Sequence, residues 1–382
     1  MINNELLKQL AAAQSAQGIF LSASLSTSRL DDWRQTAPTF LNSEFNRITR
    51  FRPFTKEERR TLHDDLQKVL EVLQYEVNPP TQGLLVYADG GGGFFQSVEL
   101  PLRLSNRLLV EPSPYIRPLV HALCVLAPFV VVRVSRDDST IYLVDQWRLS
   151  REEDLTGPYL KSGDRATGDV PVKDRARVQQ YYAAARQETL VEQHFKEVAG
   201  ALEKLLAETG VRQLVLCGQH DIVSNFRKFL GPLGSGCARG EIAWDAVASV
   251  NQLLASARGE MQAVRAREME ALVARISEGL GPQGMGVSGF EDTMDALRRG
   301  QVQTLVVDRN VRSPGWRCLQ CDFVSITDVV VCPLCDGHVV PLDDVLGEAV
   351  RVAILQNTFV EVAEEVPALE SMGHIAGILR FR

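Results

Sequence analysis

The sequence predicts a mixed α/β (α+β) protein with three domains. The chain has 382 residues, which is more than one ordinary hydrophobic core accommodates. β-Branched runs alternate with amphipathic helical segments, a pattern typical of α/β layers. Four clustered cysteines interrupt the last of these layers, and prolines 112, 114 and 118 mark the end of the first. We therefore place the domains at residues 1–122, 125–281 and 283–382.

The N-terminal domain is predicted to contain a strand, a helix and a hairpin. Apolar residues alternate with serines over Ile19–Leu25, as in a strand with one buried face. Thr55 and Glu58 have the capping-box spacing and open a charged helix that ends near Val72. Glycines 90–93 separate two β-branched or aromatic runs, which indicates a hairpin rather than a phosphate-binding loop.

The other two domains repeat the alternation of strands and helices. In the middle domain a long polar loop, residues 150–173, separates a predicted hairpin from a long helix, and loops of this length are usually functional or disordered. The predicted middle-domain elements are strands Phe129–Val134 and Thr140–Asp145, helix Arg175–Glu208, strand Gln213–Cys217 and helix Ala246–Ile276. The predicted C-terminal elements are helices Glu291–Arg299 and Val345–Gln356 and strands Gln303–Val307, Phe359–Val362 and Ile378–Phe381.

The composition limits which partners and which cellular compartment suit the chain. Apolar residues make up 45% of the chain and charged residues 23%, a composition typical of globular proteins that argues against wholesale disorder. The formal charge of −7 argues against a protein that coats nucleic acid through bulk electrostatics, although local basic patches could still bind structured RNA. The most apolar run, Leu119–Val134, contains a histidine, a proline and an arginine and is too short to span a bilayer. With an odd number of cysteines and no secretory signal, we expect a cytoplasmic protein with neither a membrane nor a DNA partner.

Four cysteines predict one structural zinc ion. Cys318, Cys321, Cys332 and Cys335 form two C-x2-C pairs separated by ten residues, inside a ribbon at 316–340. Two such turns complete a tetrahedral sulfur shell, which leaves no open position for a catalytic water. A redox dithiol is the alternative, but it needs one C-x2-C at a helix N-terminus. The remaining cysteines, at 124, 217 and 237, are expected to be small buried residues.

Several segments resemble a known superfamily. Pro314-Gly-Trp-Arg-Cys318, the ribbon inserted after Thr304-Leu-Val-Val307, and the ending Gly373-His-Ile-Ala-Gly-Ile-Leu-Arg-Phe381 resemble the C-terminal domain of archaeal and eukaryotic class I peptide-release factors and Pelota. Phe94-Phe-Gln-Ser-Val-Glu-Leu-Pro101 and Pro114-Tyr-Ile-Arg-Pro-Leu119 resemble the bacterial branch, which is similar to the hibernation factor Balon. The resemblance implies a tRNA-shaped, ribosome-binding factor with an RNase-H-like middle domain. It also implies an N-terminal domain toward the decoding centre and a C-terminal domain that contacts the stalk base or a translational GTPase.

Catalytic members of this superfamily carry Gly-Gly-Gln, or Gly-x-x-Gln, in the middle-domain loop. The matching loop here, Gly157–Pro171, contains neither motif, and the nearest glutamines, Gln179 and Gln180, lie on the following helix. We therefore expect no catalytic residue and a hibernation or rescue role at the ribosomal A site. The alternatives are a peptidyl-tRNA hydrolase with a non-standard loop, and an interaction scaffold that no longer binds ribosomes.

Two basic segments are candidates for contact with ribosomal RNA. Cations on a mobile loop could neutralise phosphates, and arginines interleaved with Phe51 and Phe54 could combine phosphate contacts with base stacking. The alternatives are a solvated loop of mixed charge and an amphipathic edge whose aromatic rings point inward. The candidate residues are Lys161, Arg165, Lys173, Arg175 and Arg177 on the loop side, and Arg47, Arg50 and Arg52 in the N-terminal domain.

Overall fold

The computed structural model describes residues 3–157, 175–243 and 249–381, apart from residues 29, 31, 76 and 78–80. In the helix that begins at Arg175, only the backbone is described as far as residue 186. The chain packs into two compact units, one formed by Met1–Val125 with Glu268–Arg382 and the other by Leu126–Arg267. These are units of packing, so the limits of the three domains stay a prediction. No helix in the described ranges is both long and apolar enough to cross a bilayer.

The N-terminal part of the first unit is an antiparallel four-stranded sheet with two helices on one face. The strand order is β3-β2-β1-β4, and α2 and α3 pack against the face that carries Leu21, Ala23 and Leu25. The serines on the opposite face of β1 are also buried, because residues 105–115 cover them: Ser24 Oγ donates to the carbonyl of Ser105, and Ser22 Oγ accepts from the amide of Tyr115. The elements are α1 Asn4–Ala12, β1 Phe20–Ser26, α2 Trp33–Phe51, α3 Lys56–Tyr75, β2 Gly83–Asp89, β3 Phe94–Leu100, β4 Arg107–Glu111 and α4 Arg117–Val125.

The capping box at the start of α3 is confirmed. The Thr55 amide donates to the Glu58 carboxylate at 2.7 Å, and the Glu58 amide donates to Thr55 Oγ1 at 3.2 Å. Each side chain therefore satisfies a backbone donor that has no partner within the helix.

The second unit is a mixed five-stranded sheet with helices on both faces. The order is β7-β6-β5-β8-β9, with β5, β6 and β7 antiparallel and β8 and β9 parallel to β5. Helices α5, α6 and α7 cover one face and α8 covers the other. This is the mixed sheet expected of an RNase-H-like middle domain. The elements are β5 Phe129–Val134, β6 Asp138–Asp145, β7 Arg148–Thr156, α5 Arg175–Thr209, β8 Leu214–Cys217, α6 His220–Phe226, α7 Pro232–Cys237, β9 Ala238–Ile242 and α8 Val250–Glu278, of which residues 268–278 belong to the first unit.

The predicted loop at 150–173 starts too early. Residues 150–156 continue β7, which pairs with β6 along the edge of the sheet. An edge strand can carry the charged and mostly exposed sequence Arg151-Glu-Glu-Asp154, because no further strand pairs with its outer side. Charge was therefore a misleading signal for a loop at this position. The rest of the predicted loop, residues 158–173, lies outside the described residues.

The C-terminal part of the first unit is a small α/β layer with an inserted ribbon. Its sheet has the order β10-β16-β11-β15, in which only β11 and β15 are parallel, and the ribbon sheet β13-β12-β14 follows β11. The last strand was predicted three residues too late, because Ala376 and Gly377 are weak strand formers, yet they pair with Val306 and Leu305. The elements are β10 Gly286–Ser288, α9 Phe290–Arg298, β11 Val302–Asp308, β12 Gly315–Cys318, β13 Val324–Ser325, β14 Val339–Leu342, α10 Val345–Leu355, β15 Phe359–Ala363, α11 Pro367–Glu370 and β16 Ile375–Leu379.

Candidate metal centre

The four ribbon cysteines converge on one point. All four Sγ atoms lie within 4.8 Å of one another, and the pairs Cys318–Cys335 and Cys321–Cys332 are each 3.5 Å apart. Four thiolates at a metal–sulfur distance of about 2.3 Å in a tetrahedron would be about 3.8 Å apart. The cysteines therefore fit a single metal ion with a closed sulfur shell.

The two sulfur–sulfur contacts of 3.5 Å each join cysteines from different C-x2-C pairs. The four thiols therefore form one group rather than two separate dithiols, which disfavours the redox alternative. Within the described ranges they are also the only group of three or more His, Cys, Asp or Glu side chains placed to hold a metal.

Backbone amides point at the sulfur atoms in both turns. The amide of Gln320 donates to Cys318 Sγ at 3.4 Å, and the amide of Leu334 donates to Cys332 Sγ at 3.4 Å. Burial alone would raise the pKa of the Cys332 thiol, but hydrogen bonds from the Leu334 amide and from Cys321 lower it to about 7. The hydrogen bond with Cys321 raises the pKa of Cys335 to about 12, so the four thiols do not ionise alike, and a bound metal is what would hold all four as the thiolates that ligate it.

The two turns close through equivalent aspartates. Asp322 and Asp336 each follow the second cysteine of a pair, and their φ angles are 59° and 55°. Aspartate is among the few residues other than glycine that enter this left-handed region readily. The two turns therefore have the same backbone form, with no glycine required at this position in either.

A cluster of arginines and carboxylates, Arg317, Asp322, Glu348 and Arg351, fixes the ribbon to α10. The Arg317 guanidinium lies 2.7 Å from Asp322 and 3.4 Å from Glu348, and Arg351 lies 2.7 Å from Glu348. Arg317 and Asp322 directly flank the first cysteine pair in the sequence. A metal ion bound to that cysteine pair would therefore also position Arg317 and Asp322.

The same cluster reaches the N-terminal part of the unit. Arg317 donates to Ser113 Oγ at 3.0 Å, and Ser113 in turn donates to Glu348 at 3.2 Å. Arg351 donates to the carbonyl of Ala11, the residue before the last in α1, at 3.2 Å. Since both arginines are buried, each needs these several acceptors to offset its desolvation.

The Pro114–Leu119 motif forms a second buried network. Arg117 is 1% exposed; its guanidinium lies 2.7 Å from Asp344 and donates to the Tyr115 hydroxyl at 2.9 Å. It also donates to the carbonyls of Asp308 and Val311 at 3.1 and 2.8 Å. The Tyr115 hydroxyl completes the network by donating to Asp344 at 3.0 Å. These motif residues therefore join β4 and α4 to the segments on either side of the ribbon.

The sequence identified this motif only through its resemblance to the bacterial branch and did not predict its structural role. Tyr115 and Asp344 are 229 residues apart in the chain, so no local spacing links them. The available signal was an arginine and a tyrosine among apolar and proline residues, a context that indicates burial and hence the need for partners.

The N-terminal candidate residues for RNA contact differ in their surroundings. Arg47 is exposed and paired with Glu44 at 2.9 Å, and Arg50 lies over the ring of Phe51, which is 74% exposed. Arg52 is half-buried and donates to the carbonyls of Val110 and Pro341, and burial lowers the pKa of its guanidinium. Phe54 packs against the core. Of this group, Arg47, Arg50 and Phe51 are the members that a ligand can reach.

The candidate residues on the loop side are only partly described. Lys161, Arg165 and Lys173 lie outside the described residues. Arg175 and Arg177 lie in the first turn of α5, where the backbone alone is described. Gln179 and Gln180 follow on the same helix.

Fold and site together define a mixed α/β protein of several sheets with a four-cysteine metal site. Residues 114–277 match the sequence model of bacterial archaeo-eukaryotic release factor family 10. Over this segment the match supports the resemblance to the superfamily of archaeal and eukaryotic release factors and Pelota that the sequence predicted. The match covers less than half of the chain and includes the loop that carries the glutamine motif in catalytic members. No curated protein sequence matches at a significant level.

Solved structures with similarity to the chain include an archaeal termination factor, Pelota and Dom34. An archaeal translation termination factor, aRF1, is 21% identical over 99% of this chain and 96% of that one, with a TM-score of 0.25. Archaeoglobus fulgidus Pelota is 14% identical over 78% and 79%, with a TM-score of 0.32. Dom34 from S. cerevisiae, a translation termination-like factor, is 11% identical over 78% and 79%, with a TM-score of 0.41. Because all three TM-scores lie below 0.5, these likenesses add nothing to the family match.

Proposed function

We propose that the protein is a ribosome-binding factor of the release-factor class that occupies the A site of idle or stalled ribosomes without cleaving peptidyl-tRNA. The observation that carries the proposal is the family match over residues 114–277. Within that segment the loop Gly157–Pro171 has neither Gly-Gly-Gln nor Gly-x-x-Gln, so the side chain that orients water in catalytic members has no counterpart there. Retention of the scaffold without this motif favours a hibernation or rescue role in the cytoplasm. A translational GTPase that delivers the factor is a second proposed partner.

Zinc is the metal we propose for the ribbon. Four soft thiolates in a tetrahedral arrangement favour Zn²⁺, which imposes no other geometry and has no redox chemistry. With all four positions filled by sulfur, the ion is structural: it holds the two turns together and activates no water. Metal analysis of the purified protein should give one zinc per chain, and a substoichiometric content after expression in zinc-replete medium would contradict the assignment.

RNA contact is proposed for the accessible basic residues. Lys161, Arg165, Lys173, Arg175 and Arg177 flank or occupy the loop, and Arg47 and Arg50 lie on an exposed helix end beside Phe51. Each lysine or arginine that neutralises a phosphate releases a counterion, so binding weakens as salt rises. We expect Arg47→Gln with Arg50→Gln to reduce both the affinity for ribosomes and its salt dependence.

Co-sedimentation with purified bacterial ribosomes tests the proposal. The protein should pellet with 70S or 50S particles at about 50 mM salt and be released as salt approaches about 500 mM. Arg275→Gln, which changes an exposed arginine of α8, is the matched control and should sediment like the parent protein. Absence from the pellet at low salt would remove the proposal and favour a scaffold that has left the ribosome.

Release of labelled peptide from stalled ribosome–nascent chain complexes separates docking from catalysis. The proposal expects no turnover above the rate without protein. Turnover that disappears in the double variant Gln179→Ala/Gln180→Ala would instead establish a hydrolase with a non-standard loop.

A further inference from the structure

A small pocket with basic walls lies within the unit formed by Met1–Val125 and Glu268–Arg382. Its volume is about 30 Å³, room for two waters or one small oxyanion. The basic side chains that line it are Arg107, Arg117, Arg309 and His121, Tyr115 adds a phenol, and no carboxylate belongs to its lining. Since the chain as a whole is acidic, this concentration of cationic groups around one small space is a local feature.

Two of the arginines are already neutralised. Arg117 pairs with Asp344 at 2.7 Å, and Arg309 pairs with Glu364. Glu364 also lies 3.6 Å from His121. These carboxylates hold the basic groups in position from outside the pocket. Since Arg117 also donates to Tyr115, Asp308 and Val311, the N–H donors left for a ligand belong mainly to Arg107 and Arg309.

Arg107 differs, because it has no carboxylate partner among the described residues. Its guanidinium donates to the Tyr115 hydroxyl at 3.1 Å and to the carbonyl of Asn310 at 3.4 Å, both neutral acceptors. Burial lowers the pKa of Arg107, and the positive charges of Arg312 and Arg117 lower it further, while Tyr115 and the Asp344 carboxylate raise it in part. The Asp344 carboxylate that acts on Arg107 is already paired with Arg117 at 2.7 Å, so an anion in the pocket would supply negative charge that these two arginines otherwise share.

The shape and chemistry of the pocket select the anion. A tetrahedral dianion has more acceptor oxygens and more charge than a planar monoanionic carboxylate. It therefore suits several guanidinium groups around one small space better than a carboxylate does. The apolar walls, Leu104 and Val362, exclude water from one side and so strengthen the charge interactions. We propose that this pocket binds a phosphate group. The site stands apart from the proposed function, because its lining can hold a free phosphate or a nucleotide as well as a phosphate of an RNA strand.

Isothermal titration of the full-length protein with inorganic phosphate at low ionic strength tests the site. Arg107→Gln and Arg309→Gln should each weaken phosphate binding by roughly tenfold, equivalent to about 1.4 kcal/mol. The exposed control Arg275→Gln should bind as the parent does. Circular dichroism melting of each variant verifies that the unit is folded, and Arg107→Lys, which keeps the charge, should retain more affinity than Arg107→Gln.

The source of the phosphate follows from competition. Displacement of bound phosphate by a short 5′-phosphorylated RNA, but not by the same RNA without its 5′-phosphate, would assign the pocket to an RNA end. Displacement by both RNAs would assign it to the RNA backbone, and displacement by neither would assign it to free phosphate or a nucleotide. Absence of phosphate binding by the parent protein would overturn the proposal. Equal binding by the parent protein, Arg107→Gln and Arg309→Gln would overturn it as well.

Discussion

At the scale of residues, buried charges are held by partners distant in the sequence. Arg117 and Asp344 are each almost fully buried, and each would be costly alone. Burial raises the pKa of Asp344, whereas the charge of Arg117 and the Tyr115 hydroxyl lower it again. Asp344 also caps α10 by accepting from the amide of Leu346. The Asp344 carboxylate thus both caps the start of α10 and forms the ion pair with Arg117.

Replacing Arg117 by leucine should destabilise the protein by about 3–5 kcal/mol, because it leaves the Asp344 carboxylate buried without a counterion. Adding Asp344→Asn, which keeps a capping oxygen, should recover part of the loss. Urea unfolding of the single and double variants measures the coupling, and strictly additive effects would contradict the account. The exposed pair gives the matched control: Arg47→Leu, which removes the partner of Glu44, should cost at most about 1 kcal/mol.

Glu111 makes the stability of the unit depend on pH. Burial, and then the charges of Asp344, Asp343 and Glu348, raises the pKa of Glu111 from 4.5 to about 8. Between these values the folded protein keeps a proton that the unfolded chain has lost. The free energy of unfolding should therefore fall as pH rises from 5 to 8, by at most about 1.4 kcal/mol per pH unit from this residue.

Glu111→Gln should flatten that pH dependence, because the amide cannot ionise while its oxygen can still accept from the amides of Asp343 and Asp344. Urea unfolding at pH 5, 6, 7 and 8 compares the two proteins. An unchanged slope in the variant would show that Glu111 does not hold the proton.

At the scale of elements, the ribbon has almost no core of its own. Its buried cluster consists of Cys318, Cys332 and Val339 with a few half-buried neighbours. Metal ligation therefore has to replace the burial of apolar surface, with a contribution on the order of 10 kcal/mol. Arg317 and Asp322 lie beside the first cysteine pair and bind residues of α10. If the metal is removed, we therefore expect the ribbon to lose order and the start of α10 to lose order with it.

Removing the metal with a chelator, or replacing Cys335 by serine, should raise amide hydrogen exchange in residues 315–342 and at the start of α10. The strands of the second unit, β5 to β9, serve as the internal control and should keep their protection. Unchanged exchange in the ribbon after verified metal loss would contradict a structural role for the ion.

Gly347 in α10 tests the packing of the Tyr115 ring against that helix. A Cβ at this position would lie 2.8 Å from a carbon of the ring, which the hydroxyl network holds in place. Gly347→Ala should therefore lower the stability by about 1–3 kcal/mol, despite the better helix propensity of alanine. In Gly259→Ala, on α8, the added methyl meets nothing within 4 Å, so this control should be neutral or stabilising. Thermal melts of both variants make the comparison.

The elements that the sequence predicts are those with local signals. The Thr55–Glu58 capping box and the β-branched runs identify α3 and the central strands, because each signal lies within a few residues. Helix α2 carries Pro38 in its interior and was not predicted, and β4 and α4 lie among prolines. The burial of Ser22 and Ser24 was likewise hidden, since it depends on a segment more than 80 residues away.

At the scale of the whole molecule, the metal site and the buried charge networks differ in how far the sequence predicts them. The spacing of the cysteines defines their site completely, because two short turns suffice to build it. The pairing of Tyr115 and Arg117 with Asp344 and the assembly of the phosphate pocket require the fold, because their members come from both ends of the chain. The family match, in contrast, rests on sequence, and the proposed role at the ribosome depends on it rather than on either network.

A cryo-electron microscopy map of bacterial 70S ribosomes incubated with the protein tests the central claim most directly. The account predicts density for the protein in the A site, with the loop at 157–171 near the peptidyl-transferase centre and any peptidyl-tRNA ester intact. An A site that stays empty at saturating protein concentration would contradict it.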